Sequence, residues 1–451
     1  MHRAINTGTV IALLSSLAVA LIFALSSFNP LVIVMMAGAA LFFVSVFYLQ
    51  PDLIIKSMFF VAFLVPFQYV SKFHLITNER YFKLLNFLNP LTFLGGVLFI
   101  WLVSRILKRQ DQKNRLRLDG VDILYACFII FSLLSTVNAK SKLGALNWIF
   151  YSLVTGFAVY KGLSIYTLEK VKKILIFLET VATLSAVYGI VEYFSGYSFL
   201  MGRFQERLTS SLGHPLYSGL MYAAALPTGF ALYADTKKVR YLVSVFILAM
   251  AVVLTFARGS WIALILGLMV MIPFLPSKTK IKLIFFGAIL AVVVAGVPFF
   301  RESISARLAS NEAKGYSSFD IRLRSIPLAF EIIRESPWFG VGPFNASRHQ
   351  YENSYSQTLR QVGSFENTYL ELLVDLGVMG FACFLGIIFI GIKRIFFFRP
   401  KDPPRKIYQA SFAACLVIVL INIATFNFDS NRLFHFVLWF YLGLGLNHFE
   451  A

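Results

Sequence analysis

The chain has 451 residues, of which 58% are hydrophobic and 14% charged. Soluble domains carry roughly a quarter charged residues, so this composition excludes a soluble enzyme and points to a polytopic membrane protein. The formal net charge of +19 does not imply nucleic acid here, because lysine and arginine collect in the cytoplasmic loops of membrane proteins.

The apolar run Ile5 to Phe28 exceeds a signal-peptide core and a second run follows at once, so it reads as a retained span. The next runs are Leu31 to Leu49, Leu53 to Val70, Pro90 to Leu107, Val121 to Val137, Leu146 to Leu163 and Val171 to Phe194. After them come Pro215 to Tyr233, Tyr241 to Phe256, Trp261 to Leu275, Ile281 to Phe300, Thr368 to Ile392, Ile407 to Phe426 and Leu433 to Leu446. With roughly 20 residues needed per crossing, the expectation is an all-α, polytopic transmembrane helical bundle of about 12 to 14 spans. Cys127, Cys383 and Cys415 all fall in apolar runs without metal-ligand spacing, so they read as packing residues.

Basic residues follow every second run from the fourth onward: Arg105 to Arg117, Lys170 to Lys173, Lys237 to Arg240, Lys278 to Lys282 and Lys393 to Lys406. This register places both termini in the cytoplasm, although Lys72, Arg80 and Lys83 in the early part depart from it. The long loop Arg301 to Phe365 then lies outside. The chain divides into transmembrane helices over 1–300, a loop with short helices over 301–366, and C-terminal transmembrane helices over 367–451. Within the loop, Ile326, Phe330 and Ile333 have helical spacing over Asp320 to Ser336. Pro327 interrupts that pattern, and PWFGVGPFN, from Pro337 to Asn345, carries the turn residues that end a helix.

Where this loop meets the next span, the stretch FENTYLELLVDLGVMGF (Phe365 to Phe381) places Glu366, Glu371 and Asp375 in an otherwise apolar run. Carboxylates are costly in lipid, so they face protein or a water-filled cavity. Glu371 and Asp375, four apart, share a helix face. Glu366 stands near the helix start, where free amides favour its anion and a general base could work. The simpler alternative is that Glu366 caps the helix and Asp375 hydrogen-bonds a neighbouring element.

Several arginines sit at the outer span ends, where the positive-inside tendency does not explain them. Arg203 and Arg207 precede the eighth span, Arg258 stands in the short link FARGSW, and Arg322 and Arg324 lie in the long loop. The guanidinium fork suits phosphate; snorkelling to lipid headgroups is the alternative. Glu179, in mid-span, is either functional or a hydrogen-bonded core acid. His214 and His349 also fall outside. There is no Gly-rich phosphate loop, HExxH or GxSxG, so no cofactor or metal is expected and catalysis would use side chains gathered at a membrane face.

The succession RLTSSLGHPLYSG, FARGSW, ESPWFGVGPFN and ENTYLELLVDLGVMGF, over Arg203 to Phe381, resembles the O-antigen ligase and polymerase superfamily of bacterial membrane glycosyltransferases. The resemblance implies the helical membrane fold of lipid-linked-sugar transferases. It implies an undecaprenyl-pyrophosphate-linked glycan donor at the outer face of the inner membrane, and metal-independent, inverting transfer to a hydroxyl of a glycan or lipid-linked acceptor. It implies that Arg207 and Arg258 hold the pyrophosphate, with Arg324 matching a loop arginine and Arg203 nearby. Ligases of the family carry histidine, the proposed base, before the motif asparagine; here that position is Glu366, which can also take a hydroxyl proton. The departure favours a polymerase, or a ligase for another acceptor, with Glu371 and Asp375 supporting the site. The alternative function is a flippase for lipid-linked oligosaccharides, although no internal repeat of the transporter kind is visible.

Overall fold

The structure, a computed structural model, describes residues 51–64, 90–107, 119–164, 166–196, 207–275, 277–282, 284, 287, 318–346, 365–397, 402–426 and 432–446. The first two apolar runs, most of Ile281 to Phe300, Arg203 and His349 lie outside the described residues. The helices are α1 (Pro51–Leu64), α2 (Pro90–Leu107), α3 (Gly120–Ser135), α4 (Lys142–Trp148), α5 (Thr155–Leu163) and α6 (Leu168–Ser195). They continue as α7 (Pro215–Thr236), α8 (Val239–Leu254), α9 (Arg258–Met271), α10 (Ser318–Glu335), α11 (Thr368–Phe397), α12 (Pro403–Thr425) and α13 (Arg432–Leu446). A π-helical segment, Ile149–Val154, joins α4 to α5.

Among the described residues, five helical stretches are long and apolar enough to cross a membrane: Gly120–Asn138, Lys142–Leu163, Leu168–Ser195, Thr368–Phe397 and Pro403–Thr425. Leu94–Val103, Val239–Leu254, Arg258–Phe274 and Leu433–Leu446 are shorter apolar helices. The protein is an all-α, multi-pass membrane protein. Helices are what such sequences must form, because lipid offers the backbone no hydrogen-bond partners. Small residues let the helices approach closely. A Cβ added to Gly156 would lie 2.2 Å from Trp439 Cδ1 of α13, and one added to Gly267 would lie 2.5 Å from Ile418 Cγ1 of α12.

One end of the bundle gathers the ion pairs expected at a basic face. Asp119 caps α3, accepting from the backbone N–H of Val121 and Asp122, and pairs with Arg394. Lys161 Nζ reaches Asp122 Oδ2 at 2.6 Å with both side chains buried, and Lys172 Nζ reaches Asp235 Oδ2 at 3.0 Å. Four carboxyl and ammonium groups that would be costly alone are thereby paired.

The opposite end is shaped by a break in α11. Gly377 has φ 64° and ψ −171°, a conformation available essentially to glycine only. Tyr369 and Phe384, on either side of it, have ring centroids 6.4 Å apart. Fifteen residues of straight helix would separate them by about 22 Å, so Thr368 to Leu376 folds back as a short arm over the longer shaft, Val378 to Phe397. The arm crosses the bundle end. Ser135 Oγ of α3 donates to the Asp375 carbonyl at 2.7 Å, while Thr368 Oγ1 donates to the Phe426 carbonyl and Tyr369 Oη to the Leu420 carbonyl, each at 3.0 Å. With Arg394 at Asp119 and Asp375 at Ser135, α3 and the shaft run alongside each other for about 25 Å, close to the roughly 30 Å of a hydrocarbon core. Glu371 and Asp375 therefore belong to the arm, and Glu366 to the turn just before it, at the bundle end and clear of the shaft.

Helix α10 covers the arm. Leu328, Ala329, Ile332 and Ile333 bury against Val341, Phe365 and Val374; of the apolar residues whose spacing marks the helix in the sequence, Ile333 is on this face, whereas Ile326 and Phe330 are exposed. Pro327 does not end this helix: it sits on an exposed side of α10, where losing one backbone bond and bending slightly is tolerable.

Candidate functional site

The site is assembled from four segments that the sequence leaves far apart. The first is the turn before α11. Asn367 caps the arm, its Oδ1 accepting from the backbone N–H of Tyr369 at 2.9 Å and of Leu370 at 3.3 Å. The capping role that Glu366 could have filled is thus taken by its neighbour. Glu366 precedes the cap with φ 51°, a left-handed conformation costly for a residue with a Cβ and one that concentrates at functional positions. Its carboxylate is released from the helix end and faces α10.

There it meets Arg322, whose Nη2 lies 3.7 Å from Glu366 Oε2; the side chains are 28% and 20% exposed. Burial raises the Glu366 carboxyl above its ordinary value, and the Arg322 charge partly offsets this. Burial also lowers the Arg322 guanidinium, Glu366 opposes that shift, and the charge of Arg258 adds to it. Arg258 is therefore within electrostatic reach of the pair. The Nε of Arg322 is buried without a hydrogen-bond partner among the described residues, a donor for which an anionic ligand would compensate.

Arg258 is placed by the 254–258 turn. Phe256 has φ 50°, which swings the chain from α8 into α9 so that Arg258 becomes the first residue of α9. Its level in the bundle is set by neighbours. Ser260 Oγ donates to Asn422 Oδ1 at 2.7 Å, and a Cβ on Gly259 would lie 2.5 Å from Thr425 Oγ1. Thr425 adjoins Phe426, the residue that receives Thr368, so Arg258 and the Glu366 turn share one end of α12.

Arg207 docks on the same turn. Its Nε donates to the Thr255 carbonyl at 2.8 Å, and Leu208 N–H donates to the Leu254 carbonyl at 3.0 Å. Beside it His214 caps α7 through Nδ1, which accepts from Leu216 N–H at 3.3 Å, and its ring stacks on Phe426 at 5.3 Å. Burial, followed by the Arg207 charge, lowers His214 to about 4, so at neutral pH it is an uncharged cap with its proton on Nε2.

The supporting carboxylates have distinct partners. Asp375 holds the loop after α10: its oxygens accept from the backbone N–H of Phe344 at 2.7 Å, Asn345 at 3.0 Å and Ala346 at 2.6 Å. The same loop completes the interrupted α11. Val341 and Gly342 donate to the Val374 and Asp375 carbonyls, and Val378 and Met379 donate to those of Pro337 and Trp338. Gly340, at φ 67°, lies so near that a Cβ would be 2.4 Å from the Val374 oxygen. The two motifs ESPWFGVGPFN and VDLGVMG are therefore halves of one joint. Glu371 is buried in the arm, and its Oε2 accepts a long bond, 3.5 Å, from Phe365 N–H. Glu179 lies within the bundle among α6, α7 and α8, accepting from Ser244 and Thr228.

A family model described as O-antigen ligase matches residues 243–385. That stretch of the chain is similar to the O-antigen ligase family. No curated protein matches the sequence. The O-antigen ligase match includes Arg258, Arg322, Glu366, Glu371 and Asp375 and begins after Arg207. The resemblance read from the motifs is borne out over this stretch.

Among the loop arginines, the structure puts Arg322 at Glu366, whereas Arg324 is exposed. Two residues of helix rotate the chain by about 200°, so the two arginines cannot face the same partner. Sequence reasoning singled out Arg324; helical spacing held the signal for Arg322, which shares a face with Ser325, Ala329 and Ile332, all buried.

Proposed function

We propose that this protein transfers a glycan from a polyprenyl-diphosphate-linked donor, undecaprenyl pyrophosphate by the family resemblance, to an acceptor hydroxyl at the extracytoplasmic face of the inner membrane. The observation that carries the reading is the Glu366–Arg322 pair, with Arg258 coupled to it, inside the O-antigen ligase match. A carboxylate raised by burial is suited to accept a hydroxyl proton. Nearby guanidinium groups are suited to a diphosphate whose negative charge grows as it leaves.

In the proposed reaction Glu366 takes the proton of the acceptor hydroxyl as its oxygen attacks the anomeric carbon. The bond from that carbon to the diphosphate oxygen breaks, with inversion. The electron pair departs with the diphosphate, which Arg258, Arg322 and Arg207 stabilise; the proton later passes from Glu366 to water. Glutamate in place of the histidine of family ligases favours a polymerase, joining one lipid-linked glycan to another, or a ligase for an acceptor other than lipid A-core.

The test is reconstitution in liposomes with a polyprenyl-diphosphate-linked glycan and an acceptor glycan. Wild type should form the extended product. Glu366→Gln should lose at least about 100-fold in turnover while retaining expression and donor binding. Product formation by the Gln variant at the wild-type rate would overturn the assignment. Polymerase and ligase separate in a deletion strain: single units still attached to acceptor mark loss of a polymerase, and long chains accumulating on the carrier mark loss of a ligase.

A further inference from the structure

Helix α10 has a second apolar face that the arm does not use. Leu323, Ile326 and Phe330 recur at helical spacing and are 49%, 38% and 53% exposed, and Trp338 just beyond the helix is 61% exposed. Charged Arg324, Glu331 and Glu335 form a separate exposed strip. Helical geometry puts that strip about 125° round from the ridge, with exposed Arg334 between them. A helix with one face in protein, one apolar face open and one charged strip fits a membrane–water boundary.

Position within the bundle supplies the occupant. The carbonyls of Pro337 and Trp338 accept from the N–H groups of Val378 and Met379, the first residues of the membrane-crossing shaft. Val378 and Met379 are themselves 44% and 37% exposed. The surface that faces lipid along the shaft therefore continues without interruption onto Trp338, at the level where the shaft ends. Tryptophan concentrates at that level because its ring is apolar and its N–H is not.

We propose that the Leu323–Ile326–Phe330 ridge and Trp338 are seated in the lipid surface at the Glu366 end of the bundle, so that α10 lies in the membrane interface. Arg322, on the protein-facing side of the same helix, is thereby held at headgroup depth. The proposal does not depend on the assigned reaction, because its test reads depth and not turnover.

The test is nitroxide labelling of the full chain in lipid nanodiscs, with single cysteines at Ile326, Phe330 and Trp338. Glu331→Cys and Glu335→Cys serve as water-facing references, and Phe389→Cys, 68% exposed on the shaft, as a lipid-facing one. Unsubstituted protein labelled in parallel gives the background from Cys127, Cys383 and Cys415. Oxygen partitions into lipid and a nickel chelate into water. The ratio of oxygen to chelate accessibility at 326, 330 and 338 should exceed that at 331 and 335 by roughly threefold or more and approach that at 389. A water-like ratio at these three positions would overturn the proposal. So would low access to both reagents, the pattern of a second copy or another protein covering the ridge. Three independent positions keep the outcome readable if one variant fails to fold.

Discussion

Glu366 Oε2 and Arg322 Nη2 stand 3.7 Å apart, joining the turn before α11 to a helix that lies more than forty residues earlier in the chain. Their mutual effect has a definite sign. Burial lifts the Glu366 carboxyl and the Arg322 charge draws it down. A base must be ionised to work, so transfer should rise with pH through an acid limb lying above the ordinary carboxylate value. Removing Arg322 removes the cation that favours the anion, and protonated Glu366 then persists to higher pH. Arg322→Gln should move the acid limb of kcat/KM upward, in addition to lowering its plateau. A pH–rate profile of the two proteins measures this directly; an unmoved limb would separate the pair functionally.

Asp375 should govern stability. Its carboxylate accepts from three backbone N–H groups of the loop, and Asp375→Ala takes this partner from Phe344 and Ala346, while Asn345 N–H keeps the Gly342 carbonyl, at about 1–3 kcal/mol for each group left unpaired before relaxation. A loss of about 3 kcal/mol or more is expected, seen as a lower thermal midpoint in detergent. Asp375→Asn, which keeps one acceptor oxygen, should fall between. Because Glu366 stands in the turn just before the arm, both variants should also lose turnover at temperatures where they remain folded.

The helical bundle was legible because lipid forces apolar runs into helices, and most span boundaries follow from where those runs stop. The arm was not legible. Thr368 to Phe397 is continuous in hydropathy, and the break at Gly377 is a backbone event produced by the docking of Pro337 to Asn345, a long-range contact. Periodicity cannot report such a contact. The same reason hid the choice between Arg322 and Arg324: the loop had no visible partner until the arm folded back under α10. Asn367 as the cap, by contrast, was readable from its residue type and its place before the apolar run.

Gly377→Ala tests the break itself. An added Cβ would lie 2.5 Å from the Trp338 carbonyl carbon and 2.6 Å from Gly340 N, both backbone atoms, at a φ that an L side chain rarely adopts. Neither strain nor overlap can be relieved by a rotamer change, so a cost of several kcal/mol is expected, about 1–3 from the backbone conformation alone. Gly386→Ala in the shaft is the control. Its Cβ would meet only Leu124 side-chain atoms, the nearest at 3.2 Å, and the thermal midpoint should change little.

Arg207 and Arg258 should respond differently to replacement by lysine. Arg207 uses Nε to hold the Thr255 carbonyl, and that bond fixes the 207–209 segment on the turn that positions Arg258. Lysine keeps the charge but has neither the Nε donor nor the planar fork, so Arg207→Lys loses both the tie and the phosphate geometry. Arg258 is exposed at the start of α9, and Arg258→Lys loses the fork alone. If the guanidinium groups hold the donor diphosphate, both variants should raise the apparent KM for donor, by roughly tenfold for the loss of one charge-assisted bond of about 1.5 kcal/mol. Arg207→Lys should in addition lower the thermal midpoint in detergent, and Arg258→Lys should not. Initial rates against donor concentration, paired with thermal unfolding of the same preparations, distinguish the two roles; equal unfolding of both variants would remove the structural role given to Arg207.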